Sequence, residues 1–185
     1  MTTREFIEKQ KRKIAKLEKG VPLAIAAFEI HRQMGNRIFN EGESANESTI
    51  GSYATSPPIY VNPQNSPKKF QPQGITGKVF KSGKNKGQPH KTRLFSSYRS
   101  FRQYIGRQTG FVNLDLSGRL RSDFITGLRK KSPTMYESVL KYGFNAKKAR
   151  GQEKHWGKKI FSLTPTERKL FVKIVQDETN RIMNA

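Results

Sequence analysis

Cysteine is absent from this 185-residue chain. Disulfides, thiolate metal sites and cysteine nucleophiles are therefore excluded. Carboxylates are scarce: 14 Asp and Glu stand against 36 Lys and Arg, a formal net charge of +22. From Ser48 to Leu114 there is no acidic residue at all, while eleven Lys and Arg occur. Such a field attracts polyanions: nucleic acid, an acidic protein surface or an anionic membrane. Long apolar runs are missing too, as is a signal-peptide pattern. The expectation is a soluble protein made in a cytoplasm, with no membrane partner. Apolar residues make up only 34%, so part of the chain is expected to lie outside its own core.

Histidine is also rare. His31, His90 and His155 are far apart and lack ligand spacing, so each reads as a surface or loop residue. No metal site or cofactor is expected. Asp115 and Asp123 bracket Ser117-Gly118, and Glu153 precedes His155. Two or three carboxylates could serve a metal-dependent nuclease if the chain gathered them, but no nuclease spacing supports it. Ser117 sits in no Gly-x-Ser-x-Gly elbow. Gly118 followed by Arg119 is too poor in glycine for a phosphate loop. The chain reads as a single domain and not as an enzyme.

Local patterns are clearer. Thr2 and Glu5 have capping-box spacing, and residues 2 to 20 read as a helix with Phe6, Ile7, Ile14 and Leu17 as its apolar stripe. Gly20-Val21-Pro22 interrupts it. Val21, Ala24, Ile25 and Phe28 then carry the stripe on, so residues 1–35 form one bent helix or two. Residues 54–93 are rich in Pro, Gly and Lys and read as an arm or loop insertion. Within it, Ile59-Tyr60-Val61 and Gly77-Lys78-Val79-Phe80 are strand-like, and 81–91 has hairpin-tip chemistry.

Residues 92–106 read as a helix carrying Leu94, Tyr98, Phe101 and Ile105 on one face. Phe111 to Leu116 reads as a strand, with Val112, Leu114 and Leu116 opposite Asn113 and Asp115. Residues 119–129 read as a second extended segment, in which Arg119 and Arg121 alternate with Leu120 and point away from the core. Residues 133–142, with Met135, Val139 and Leu140, read as a short helix or strand, and 141–161 as a basic loop holding the single Trp. Thr164, Pro165 and Glu167 open a helix over 164–183 whose buried stripe is Leu170, Phe171, Ile174, Val175 and Ile182.

Lys81, Lys84, Lys86, Lys91 and Arg93 form a basic finger, and Arg119 and Arg121 add to it. These are the candidate contacts to DNA or to an acidic partner. Tyr98, Arg99, Phe101, Arg102 and Tyr104 interleave aromatics with cations, as stacking platforms do, although at helical spacing Tyr98 and Phe101 are more often core. No helix-turn-helix, zinc finger, RRM or KH signature is present. A stand-alone nucleic-acid-binding protein is one reading of this charge.

Three stretches, taken in order, resemble another class. They are "NRIFNEGESANESTIGSY" (36–53), "YRSFRQYIGRQTGFVNLDLSGRLRSDF" (98–124) and "YGFNAKKARGQEKHWGKKIFSLTPTERKLFVKIV" (142–175). Together they resemble neck and tail-completion proteins of tailed bacteriophages, the virion-morphogenesis or head-tail connection proteins also carried by crAss-like phages. The residues carrying the resemblance are Arg37, Phe39, Gly42, Gly51, Tyr53, Leu116, Ser117, Gly118 and Leu120. The insert at 54–93 departs from compact members.

The resemblance implies an α+β fold: helices flanking a small, mainly antiparallel sheet, with long basic loops or arms. It implies a non-enzymatic subunit of a six- or twelve-fold homo-oligomeric ring. Portal, adaptor and tail proteins would be its neighbours, with genomic DNA possible in the channel. Its place would be the virion neck, after assembly in the host cytoplasm.

Overall fold

Two capping boxes open the first and last helices. Thr2 N donates to Glu5 Oε2 at 2.7 Å while Thr2 Oγ1 accepts from Glu5 N at 3.2 Å. Thr164 and Glu167 repeat the arrangement at 2.8 and 3.0 Å. Each box satisfies amides that the first helical turn leaves without partners.

The computed structural model describes residues 2–63, 66, 70, 72, 74–79, 81–82, 86–87, 89–132, 135–138 and 143–185. The side chains of 74–78, 89–91, 129–131, 135–138 and 143–148 lie outside that description. In chain order the helices are α1 (Thr3–Glu18), α2 (Val21–Asn36), α3 (Tyr98–Tyr104), α4 (Arg119–Ile125), α5 (Gly143–Trp156) and α6 (Pro165–Asn184). A single π-helical turn, Arg37–Glu41, extends α2. The strands are β1 (Ile59–Val61), β2 (Gly74–Val79), β3 (Pro89–Phe95), β4 (Leu128–Ser132) and β5 (Met135–Ser138). The fold is α+β, with helices flanking small antiparallel sheets. β3 is central in the order β1-β3-β2, and β4 and β5 form a separate hairpin. No helix among the described residues is long and apolar enough to cross a membrane.

α2 packs along α6 and supplies one wall of the main core. Ile30, Met34, Ile38 and Phe39 face Ile50, Tyr53, Val112, Phe124 and Ile160, with Leu170, Phe171 and Ile174 of α6 alongside. Each of the three resembling stretches contributes to this cluster. A smaller aromatic cluster joins the sheet to α3. Phe95, Phe101 and Ile105 pack there with Ile59, Val61 and Leu116, and the Phe95 and Phe101 rings meet edge to face at 5.2 Å. α1 contributes no buried residue, and Phe6, Ile7 and Ile14 stay about half exposed.

Of the one bent helix or two expected over residues 1–35, two form, and the helix after Thr164 forms as the sequence suggests. The strand expected at 59–61 is β1; of that expected at 77–80, residues 77–79 end β2, which begins at Gly74, and Phe80 lies outside the described residues. Four expectations are corrected. Phe111 to Leu116 is not a strand; it is an irregular turn segment in which adjacent Val112 and Asn113 are both buried, so the alternation is lost. Arg119–Ile125 is a helix and not an extended segment. Leu120 and Phe124, four apart, both pack inward, which is the helical period.

Residues 92–106 divide into the end of β3 and α3. Ser97 and Ser100 make a capping box that starts the helix at Tyr98, four residues after exposed Leu94. Residues 143–156 are helical and not a loop. Met135 lies in β5; Val139 and Leu140 lie outside the described residues.

His31 is a fifth correction. It is buried on the inner face of α2 and not a surface residue. Its Nε2 lies 2.6 Å from the Phe124 carbonyl oxygen, and its ring stacks on Phe124 at 4.2 Å. Burial is the main cause that lowers its pKa, and the bond to the carbonyl opposes this. The neutral ring donating to Phe124 O is the form that fits.

The pH consequence has a definite sign. The unfolded chain takes up a proton near the ordinary histidine pKa of about 6.5, and the folded chain resists it. His31's contribution is therefore complete above that value and is lost as pH falls through the window beneath it. Urea midpoints should decline from pH 6.5 toward 5, with a shallower slope in His31→Gln. Equal slopes in the two proteins would remove His31 from the account.

Candidate functional site

The segment 110–118 is folded around one asparagine. Asn113 Oδ1 accepts from Tyr53 Oη at 3.1 Å, Arg102 Nη2 at 3.0 Å and the Asp115 amide at 3.2 Å. Asn113 N donates to Tyr53 Oη at 3.2 Å. Arg102 is 1% exposed. Its Nε donates to Gln108 O and its Nη2 to Asp115 O, and its guanidinium lies 4.1 Å from the Tyr53 ring centre. Burial, the largest influence on Tyr53, raises its phenol pKa, so the hydroxyl remains a donor. Every partner of Arg102 in this network is neutral. A guanidinium on carbonyls and an aromatic face can remain charged in such a place, because its donors are filled.

Leu114, between Asn113 and Asp115, has φ +53°. A leucine in the left-handed region stores about 1–3 kcal/mol of strain, and surrounding contacts must hold it there. Asn113 Oδ1, accepting from Asp115 N across that residue, is such a contact. Asp115 Oδ1 accepts from Gly118 N at 2.9 Å, and its Oδ2 is 3.8 Å from Arg121. Gly118, at φ +78°, then starts α4. The Ser117-Gly118 amide that a phosphate would need is thus already bound by a carboxylate.

Of these residues Tyr53, Arg102, Leu114 and Gly118 line a cleft of about 960 Å³. Tyr53, Tyr98 and Trp156 give it aromatic surface; Leu114, Leu116 and Leu120 give it aliphatic surface; Ser117, Gln152, Arg119 and His155 lie at its polar edge. Gly51 fixes Trp156: a Cβ there would stand 2.4 Å from the indole Cζ3. Trp156 Nε1 donates to Gln152 Oε1 at 3.2 Å.

Tyr53, Leu116, Ser117, Gly118 and Leu120 therefore line one cleft, with Gly51 behind its tryptophan. Arg37, Phe39 and Gly42 belong elsewhere. Phe39 is core. Arg37 Nε donates to Glu167 Oε1 at 2.8 Å in a pair only 7% exposed on each side. Its Nη1 donates to Glu43 O and its Nη2 to Ser162 O, both at 3.0 Å. Gly42, at φ +73°, ends the π-turn against Phe111 and the Val112 carbonyl.

The basic finger is brought together only in part. Lys81 and Lys86 are exposed next to β2 and β3. Arg93 lies against Tyr104, 4.3 Å from its ring and donating to its hydroxyl at 2.9 Å. It is a packing residue as much as a cation. Lys84, and the side chains of Lys91 and His90, lie outside the described residues. Arg119 is exposed on the cleft rim and Arg121 is tied to Asp115. His155 is exposed on α5.

Phe101 is buried in the aromatic cluster and Tyr98 packs against both clusters. They are core, which removes the stacking-platform reading at those two positions. The described residues hold no group of three or more His, Cys, Asp or Glu placed to bind a metal ion.

The reading of the sequence singled out neither Asn113 nor the buried role of Arg102. A signal existed for the second: Arg102 is four residues after Tyr98, on the inward face of α3. Asn113 carried none, being an amide between two aliphatic residues. Comparison with protein-family models, curated proteins and solved structures returns no match.

Proposed function

We propose that this protein is a structural subunit of the neck of a tailed bacteriophage, forming a closed ring between portal-side and tail-side components. One observation carries the reading. The three resembling stretches occur in order, and each sends residues into the same core: Ile38, Phe39, Ile50 and Tyr53 from the first, Val112 and Phe124 from the second, Ile160 from the third. A short motif recurs by chance; three that pack together are harder to obtain that way. The net charge of +22 suits a channel that passes DNA or an interface with acidic neighbours. On this reading no reaction is required of the protein. Native mass spectrometry should show a closed ring of six or twelve copies, alone or on a portal, and purified virions should contain the chain. A strict monomer absent from virions would sink the proposal.

A second reading rests on the acid-free stretch 48–114 with exposed Lys81 and Lys86. It makes the chain a stand-alone nucleic-acid-binding protein. Replacing Lys81, Lys84, Lys86 and Lys91 by Gln should then weaken DNA binding and reduce the salt slope by about 3–4. Unchanged binding at physiological salt would rule it out.

A further inference from the structure

We propose that the cleft between the 112–120 turn and α5 is a docking site for an acidic protein segment that inserts an aromatic or aliphatic anchor. This deepens the neck reading by giving the chemistry of one neighbour.

The apolar part of the site is preformed. Gly51 leaves room for the Trp156 indole and for nothing larger, so one wall is set. Leu114 also lines the cleft, and its left-handed backbone is held by the Tyr53–Asn113–Arg102 network. Strain of this kind is retained where the surroundings enforce it, and ligand clamps are among the places where it collects. Three aromatic rings and several leucines at an open cleft are the lining that hot-spot anchors use.

The charge selects the partner. Among the described residues that line the cleft, no side chain is a carboxylate. Arg119 is exposed at its edge, and behind it Arg102 is buried on neutral acceptors alone. A buried cation whose partners among the described residues are all neutral projects its field into the nearest opening, where a low dielectric weakens screening. A second copy of this chain, at +22, meets repulsion there. An anionic segment meets attraction, and its anchor takes the apolar surface. Nucleic acid would satisfy the charge but would leave the leucine lining without a matched partner.

Trp156 is the only tryptophan and lines the cleft, so its emission in the full chain reports occupancy. The probe is a short synthetic peptide in which Asp and Glu flank a central Phe-Leu pair. It should give a saturable change in Trp emission with Kd below about 1 mM. Replacing Phe-Leu by Ser-Ser in the peptide should abolish the change. Arg119→Glu, at an exposed position, should weaken binding roughly tenfold and leave the far-UV spectrum unaltered. No saturable change up to about 1 mM overturns the proposal. So does an equal response to the Ser-Ser peptide or to an oligothymidine strand, which would reveal a general polyanion field. The assay uses the free protein, so it can fail while ring assembly holds, and the reverse.

Discussion

Arg37→Ala should destabilise the folded chain by about 3–5 kcal/mol, read as a lowered urea midpoint at constant slope. The size follows from what is left behind. Glu167 is held in a site 7% exposed, and its carboxylate also accepts from the Thr164 amide at 2.8 Å. Without the guanidinium it is a buried charge with only its capping bond. The carbonyls of Glu43 and Ser162 lose their donor as well.

The pair itself is not a large source of stability, since burying two charges costs nearly what their attraction returns. Removing one member exposes that cost. The double variant Arg37→Met, Glu167→Leu should therefore lose less than the two single changes combined, while still forfeiting about 1 kcal/mol for the helix cap. A loss under about 1 kcal/mol in Arg37→Ala would show that Glu167 is reached by water and that the ion pair is not buried as described.

The second large effect is expected from a single methyl group. Gly42→Ala should cost about 2–4 kcal/mol, combining left-handed strain with overpacking. The new Cβ would stand 2.6 Å from the Val112 carbonyl oxygen and 2.3 Å from Phe111 Cδ2, at φ +73°. The first of these is backbone and cannot rotate away. Gly118 supplies the control. It has φ +78°, yet a Cβ there meets nothing within 4 Å, so Gly118→Ala carries only the conformational cost of about 1 kcal/mol. Thermal or urea denaturation of the two variants should rank them in that order. Equal losses would mean that the 110–112 segment moves aside freely.

What the sequence made legible was local. Capping boxes at Thr2 and Thr164 depend on residues three apart, and prolines in the first turn mark α2 and α6. The α+β class was implied by the resemblance, and these signals agree with it, as do the strand pieces among the prolines. Errors arose where two periods overlap. Around Arg119-Leu120-Arg121 the alternation mimics a strand, whereas Leu120 and Phe124 carry the helical spacing that tertiary packing selected. In α5 the reason is different. Lysine, alanine and glutamate favour a helix by propensity, but with little apolar periodicity the run looked like a loop. Its end is tied to the chain just beyond it, by Glu153 Oε1 accepting from the amides of Ile160 and Phe161 at 2.8 and 3.0 Å.

The candidate site was legible as residues and not as a place. Tyr53 and Leu116-Ser117-Gly118 were marked by the resemblance, but nothing in their spacing says that Trp156 closes the same cleft. Nor could the sequence show that the Gly118 amide is bound to Asp115. That contact turns an apparent phosphate turn into a helix start. Arg93 was grouped with the finger lysines by charge alone, and its ring contacts give it a fixed position.

The contrast between α1 and the Arg37–Glu167 pair has a consequence for how the chain opens. α1 is attached by few bonds, among them Lys13 Nζ donating to the Met183 carbonyl at 2.7 Å, and it buries nothing fully. The first turn of α6, the π-turn and the carbonyls of Ile160 and Ser162 are instead joined through one guanidinium. Local opening free energies scale with such shared burial. Amide exchange should therefore divide the helical face into two units: an N-terminal helix that detaches alone, and a π-turn that opens only when the last helix does. A partner that engages α1 can recruit it without disturbing the core, and a partner that engages the start of α6 reaches the whole fold.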